Sequence, residues 1–304
     1  MASILQAENL TKKFRSIQAL DGLNLEIARG AVYALVGANG AGKTTAIKIF
    51  MNIITPSSGS ASVLGYDSRR LSGRAFDSIG YVSENQQLPG WMKVEALLAY
   101  MKPFYPTWDD GLEAKLVSDF DLPMGRRLRD LSRGTRMKVA LAAALSFRPR
   151  LIVLDEPFSG LDPLVRDELS EALVKRTDGT TIFLSSHDLA EIESIATHVG
   201  YLESGRLRLS ESMASLSARF RQVEVIFENA PGTSAPLPPA WLQVDMSQGS
   251  LRFVDSSFDH QQTVQEITSR FGPVKSFDYS PMSLRAIFLA LAKAGRGEKS
   301  GDAL

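Results

Sequence analysis

The sequence contains no cysteine and no excess of charge of either sign. The absence of cysteine excludes disulfides, thiolate zinc sites and cysteine nucleophiles. With 34 basic and 34 acidic side chains the formal net charge is zero, so nothing global indicates a nucleic-acid partner. A chain of 304 residues is long enough for roughly two domains, each with its own core.

Long apolar runs are also missing. No run approaches the roughly 18 residues that a membrane-spanning helix needs, and the first residues lack the pattern of a signal peptide. We therefore expect a cytoplasmic protein. If it works at a membrane, we expect another chain to do the crossing.

The sequence does contain a phosphate-binding loop. An apolar run over residues 31–36 predicts a strand, and residues 46–51 follow a pattern typical of a helix. Between them the glycine-rich turn lets backbone N–H groups approach anionic oxygens, and the helix N-terminus favours phosphate. The binding residues predicted from this loop are Gly37, Asn39, Gly40, Ala41, Gly42, Lys43, Thr44 and Thr45.

Two side chains of this loop have specific roles. Lys43 would reach the β- and γ-phosphates, and the Thr44 hydroxyl would ligate Mg²⁺. We therefore predict that the chain binds a nucleoside triphosphate.

A pair of carboxylates follows a second apolar run. Residues 151–154 predict a buried strand, and Asp155 and Glu156 come directly after it. In a chain with a phosphate loop, this placement predicts that Asp155 holds Mg²⁺. It also predicts that Glu156 orients or deprotonates the attacking water.

Two further positions allow two interpretations each. Phe14 could stack on a nucleotide base, although an aromatic side chain is more often part of the core. His187 follows residues 181–186, which predict a parallel strand, at the strand end where α/β sheets place their ligands. A surface histidine in a turn fits that position equally well.

The remaining patterns outline the domains. Residues 4–10 predict an edge strand, and the segment of about 88–146 predicts a helical subdomain inserted into an α/β sheet domain over residues 1–220. Residues 221–294 alternate strand and helix patterns, which predicts a small α+β accessory domain. Residues 295–304 are typical of a disordered tail.

Taken together, these motifs resemble the ATP-binding subunit of ABC transporters, over about residues 3–215. The phosphate loop is similar to the family's Walker A motif, and residues 151–157 to its Walker B strand with the catalytic glutamate. Residues 131–136 lie where the family signature belongs, and residues 159–162 resemble its D-loop. The resemblance implies an α/β fold: a P-loop NTPase core of the ABC ATPase type, with a mixed sheet, an N-terminal antiparallel part and the helical subdomain.

The resemblance also assigns roles to single residues. It implies that Phe14 stacks on adenine, that Glu156 and His187 (the switch histidine) are catalytic, and that ATP and Mg²⁺ are the cofactors. Ser132, Gly134 and Asp162 would contact nucleotide in a dimer, and Glu84 takes the position of a glutamine that meets Mg²⁺ or water.

Two motifs depart from the family pattern. The signature is commonly Leu-Ser-Gly-Gly-Gln, whereas Arg133 and Thr135 replace its first glycine and its glutamine here. Glu84 adds a negative charge near phosphate, where the family usually has a neutral amide. We expect these changes to affect the rate of turnover more than ATP binding.

The mechanism implied by the resemblance is a sandwich of two ATP-binding subunits, with a homodimer favoured. The subunit would lie on the cytoplasmic face of the membrane and energise a separate transmembrane permease subunit, with export as the expected direction. The alternative is a soluble ABC ATPase that acts on ribosomes or nucleic acid. Such relatives usually carry tandem cassettes, long coiled coils or cysteine-rich modules, so no nucleic-acid partner is expected.

Overall fold

A computed structural model describes residues 3–84, 86–175, 179–229, 236–247 and 249–301, with side chains as far as residue 294. The chain divides into two compact units, Met1–Glu211 and Ser212–Leu304. The sequence patterns placed this boundary at residue 220, because they joined the helix before it to the first domain. Among the described residues, no helix has both the length and the apolar character needed to cross a bilayer.

The first sheet of the N-terminal unit is antiparallel. Its strands are β1 (Ser3–Phe14), β2 (Ile17–Ala28), β4 (Ser58–Val63) and β5 (Tyr66–Asp67), in the order β2-β1-β4-β5. The prediction of an edge strand over residues 4–10 was wrong. β1 is an inner strand, because Leu5 pairs with Val63 of β4 on one side and with Ile27 of β2 on the other.

The second sheet positions the site. Its strands are β3 (Val32–Val36), β6 (Ile79–Ser83), β7 (Leu151–Asp155), β8 (Thr181–Ser186), β9 (His198–Glu203) and β10 (Arg206–Ser212). The order is β10-β9-β3-β8-β7-β6, and the pairs β3/β9, β3/β8, β7/β8 and β6/β7 are parallel. Strands β3, β7 and β8 are buried along their whole length, which explains the apolar residues of β3, of the first four positions of β7 and of the centre of β8.

Helices surround this sheet. Those of the N-terminal unit are α1 (Lys43–Phe50), α2 (Val94–Met101), α3 (Asp110–Asp119), α4 (Arg133–Leu145), α5 (Pro163–Val174) and α6 (Leu189–Glu193). Short 3₁₀ helices occupy Ser68–Arg70, Gly73–Ser78, Lys102–Phe104 and Leu128–Asp130. Helices α2, α3 and α4 fall within the segment of about 88–146 that the sequence assigned to a helical subdomain.

The C-terminal unit is a four-stranded antiparallel sheet with helices. It comprises α7 (Met213–Arg219), β11 (Arg221–Phe227), β12 (Trp241–Ser247), β13 (Ser250–Asp255), α8 (His260–Phe271), β14 (Val274–Pro281) and α9 (Leu284–Gly301). The strand order is β12-β13-β11-β14, and the core under the sheet includes Trp241 stacked on Phe253. Helix α9 extends into the predicted tail, whose last residues, 302–304, lie outside the described residues.

Candidate active site

The phosphate loop connects β3 to α1, and Lys43 is the first residue of that helix. The Lys43 side chain is buried, and its Nζ donates to the Gly37 carbonyl oxygen at 2.6 Å. The same Nζ lies 3.0 Å from Oε1 of Glu156. The loop therefore closes on its own lysine, whose charge is balanced by the predicted catalytic carboxylate. Of the other loop residues, Asn39 and Ala41 lie between β3 and α1, and Thr45 lies in the first turn of α1.

Two glycines of the loop have left-handed backbone conformations, with φ of +83° at Gly40 and +110° at Gly42. A Cβ on Gly40 would meet nothing within 4 Å, whereas one on Gly42 would collide with the Ala19 carbonyl oxygen. We expect Gly40→Ala to lower the free energy of unfolding by about 1–2 kcal/mol, which is the strain of the backbone alone. Gly42→Ala should lower the free energy of unfolding clearly more than Gly40→Ala does, and it should also weaken ATP binding. Denaturant unfolding and an ATP titration of both variants would check this, and equal losses would contradict it.

Asp155 ends β7 and lies opposite α1. Its Oδ1 accepts a hydrogen bond from the Thr44 hydroxyl at 3.0 Å and another from the Ser185 hydroxyl at 2.7 Å. Ser185 belongs to β8 and pairs with Asp155 in the parallel ladder. Its hydroxyl also accepts from the backbone N–H of Glu156 at 2.9 Å. Ser185 therefore fixes both members of the carboxylate pair, a role that we missed in the sequence because strand pairing is not visible there.

Glu156 has a left-handed backbone, with φ of +51°, and its side chain is only 10% exposed. One oxygen, Oε1, faces Lys43, while the other, Oε2, lies 2.7 Å from Nδ1 of His187. His187 is not an isolated surface histidine, since it contacts the predicted base directly. The carboxyl ends of β3, β7 and β8 thus bring Lys43, Glu156 and His187 together.

Glu84 follows β6 and pairs with the helical subdomain. Its Oε1 accepts from Nη2 of Arg133 at 2.8 Å and from the Ser159 hydroxyl at 3.0 Å. Its backbone N–H donates to the Asp155 carbonyl oxygen at 2.9 Å. The hydrogen bond from Arg133 lowers the pKa of the Glu84 carboxyl, although partial burial opposes the shift. Neither side-chain contact was expected from the sequence.

This lowered pKa predicts a pH dependence of stability. Since the folded-state pKa of Glu84 lies below its ordinary value of 4.5, the ionised form stabilises the fold above that pH. The stabilisation is lost as the pH falls through the folded-state pKa. We expect Glu84→Gln to lower Tm by about 1–4 °C at neutral pH, and this difference from wild type to shrink towards about pH 3. A difference in Tm that stays constant with pH would contradict the prediction.

Phe14 is the last residue of β1, and the residue is 44% exposed. It is therefore not a core residue, which removes one of the two interpretations left open above. The Nζ of Lys12 lies 4.9 Å from the centre of the ring. An exposed ring with an adjacent cation is a surface on which a base of an anionic nucleotide can stack.

The signature residues form the start of α4. The Ser132 hydroxyl caps this helix by accepting from the backbone N–H of Thr135 at 3.1 Å. A Cβ on Gly134 would lie 3.1 Å from Cγ1 of Val165, so glycine allows α4 to approach α5 closely. Asp162 caps α5 by accepting from the Val165 N–H at 3.1 Å. In the single chain these residues therefore shape the helix ends.

Comparison with known proteins identifies the family. The sequence model of the family described as ABC transporter matches residues 20–159. The bacitracin transport ATP-binding protein BcrA of Enterococcus faecalis is 30% identical over 282 residues, which cover 89% of this chain and 89% of that protein. This chain belongs to the ABC transporter family.

Further relatives agree with this assignment. The lantibiotic transport ATP-binding protein SrtF of Streptococcus pyogenes is 32% identical over 215 residues, covering 68% of this chain and 90% of that protein. A solved ATP-binding subunit of an ABC transporter is 26% identical and superposes with a TM-score of 0.64, covering 71% of this chain and 92% of that one. The chain is an ATP-binding subunit and an ABC ATPase, and the predicted fold class of its core is confirmed.

Proposed function

We propose that this ABC ATPase powers export through a separate transmembrane permease subunit, and that two copies close on ATP as a homodimer. The observation that carries the proposal is the cluster of Lys43, Glu156 and His187 at the ends of the parallel strands. It combines a buried cation for phosphate with a carboxylate that can accept a proton from water. The names of the relatives, which refer to transport of bacitracin and of a lantibiotic, support a transport role.

The site also fits Mg²⁺ bound with ATP. The Thr44 hydroxyl and the Asp155 carboxylate lie 3.0 Å apart, and oxygen ligands of these two kinds suit Mg²⁺ alongside phosphate oxygens. The ion would neutralise charge on the phosphates. We propose that Thr44 and Asp155 hold it. The Glu84 carboxylate, a further candidate from the sequence, accepts hydrogen bonds from Arg133 and Ser159.

The remaining residues would complete the nucleotide site. We propose that backbone N–H groups of residues 37–45 bind the phosphates, and that Lys43 leaves Glu156 for the γ-phosphate. Glu156 would then hold the attacking water, and His187 would orient the Glu156 side chain through its contact with Oε2. Phe14 would stack on adenine, while Ser132, Gly134 and Asp162 of one copy would face the nucleotide of the other.

Purification from membranes tests the transport role. When this protein is purified from detergent-solubilised membranes, a polytopic membrane protein should co-purify with it. Co-purification of ribosomes or nucleic acid instead would favour the soluble alternative.

Trp91 is 71% exposed in the segment after Glu84, which we propose as the contact with the permease. Trp91→Ala should release the membrane protein while ATP binding is unchanged. Tyr66→Ala, which changes an exposed aromatic residue of the antiparallel sheet, should retain it.

A further inference from the structure

Two of the residues that depart from the family pattern contact each other. Arg133 is the first residue of α4, and Glu84 follows β6, yet 2.8 Å separates Nη2 of the arginine from Oε1 of the glutamate. Ser159, in the turn after β7, donates to the same oxygen at 3.0 Å. One carboxylate therefore connects three segments that are distant in the sequence.

The surroundings of Arg133 are shaped to hold its side chain. Gly160 has φ of +66°, and a Cβ at that position would lie 3.0 Å from Nη1 of Arg133. The guanidinium thus rests against a stretch of backbone that carries no side chain. Arg133 and Glu84 line one cavity of about 460 Å³, together with Arg136 one turn further along α4.

The pair is linked directly to the nucleotide site. The backbone N–H of Glu84 donates to the carbonyl oxygen of Asp155, whose carboxylate is bound by Thr44. A free carboxylate at position 84 would add its charge beside Asp155, Glu156 and a bound triphosphate. Because like charges repel most strongly where water is partly excluded, that charge would disfavour the nucleotide unless a cation balanced it.

We propose that Arg133 is a positioning residue, which occupies and neutralises the Glu84 carboxylate so that the two charges together replace a neutral amide beside the phosphates. The inference deepens the proposed function, since it rests on ATP and Mg²⁺ binding at Thr44 and Asp155. It predicts that removing Arg133 weakens ATP binding much more than removing the charge of Glu84. Loss of Arg133 exposes a negative charge to the phosphates, whereas loss of the Glu84 charge leaves a cation that anionic phosphate tolerates.

The test is a double-mutant cycle of Arg133→Ala and Glu84→Gln in the full chain, read out as ATP affinity with Mg²⁺ and with EDTA. Arg133→Ala should weaken binding in EDTA by about tenfold, and less with Mg²⁺, because the metal ion screens the phosphates. Glu84→Gln alone should stay within about threefold of wild type. The double variant should also return to within about threefold, and kcat should follow the same order where hydrolysis is measured.

Two matched variants distinguish a positioning role of Arg133 from a general disturbance of the fold. Arg133→Lys keeps the cation and should retain most of the affinity, and Arg136→Ala removes a cation from the same cavity and should change little. If the double variant binds ATP as weakly as Arg133→Ala, the inference is overturned. The proposed function fails separately, if wild-type protein with Mg²⁺ neither binds nor hydrolyses ATP.

Discussion

Replacing Glu156 with glutamine is expected to slow ATP hydrolysis by about 10³-fold, because the amide cannot accept a proton from water. The amide keeps the size of the side chain, so the contacts with Lys43 and His187 lose charge but little packing. In this variant no carboxylate at position 156 competes with the phosphates of ATP for the charge of Lys43. We therefore expect Glu156→Gln to bind ATP at least as tightly as the wild-type protein.

The size of this variant in solution tests the proposed homodimer at the same time. With ATP and Mg²⁺, Glu156→Gln should accumulate as a dimer, since nucleotide that is not hydrolysed cannot release the interface. Glu171→Gln is the matched control, because Glu171 lies on the exposed face of α5 in an ion pair with Lys175. It should hydrolyse ATP and remain mostly monomeric. A Glu156→Gln variant that stays monomeric with ATP bound would contradict the homodimer.

Much of the site could be predicted because its motifs are local. Residues 37–45 specify the loop through adjacent glycines, and Asp155 and Glu156 stand next to each other at a strand end. Apolar runs predicted the buried strands β3 and β7 for the same reason. In each case the physical cause operates between neighbours in the chain, so the sequence alone displays it.

The parts that escaped prediction depend on contacts between distant segments. Ser185 bridges Asp155 and Glu156 only because β8 lies beside β7, and nothing in its own neighbourhood marks it. The position of β1 inside its sheet follows from pairing with β4, about fifty residues later. Arg133 and Glu84 each look like a defect in a motif, and only the fold shows that the two side chains form one pair.

Lys43→Ala is expected to weaken ATP binding by about 100-fold, since a buried cation within reach of the phosphates contributes about 1.5–3 kcal/mol through charged hydrogen bonds. Lys48→Ala is the control on the same helix, because Lys48 is exposed and points away from the buried face of α1. Equilibrium titration with ATP and Mg²⁺ would measure both. Unchanged affinity in Lys43→Ala would show that the loop backbone alone holds the phosphates.

The same substitution should also destabilise the fold, for a separate reason. Glu156 is 10% exposed, and among the described residues His187 is the polar side chain that still contacts it once Lys43 is gone. Removing the cation therefore leaves a buried charge, at a cost of about 3 kcal/mol in the free energy of unfolding. Adding Glu156→Gln removes that charge and should recover most of the stability, while ATP binding remains weak. Denaturant unfolding of the single and double variants would measure this. Recovery of stability without recovery of affinity would show that Lys43 serves the ion pair in the empty site and the phosphates in the filled one.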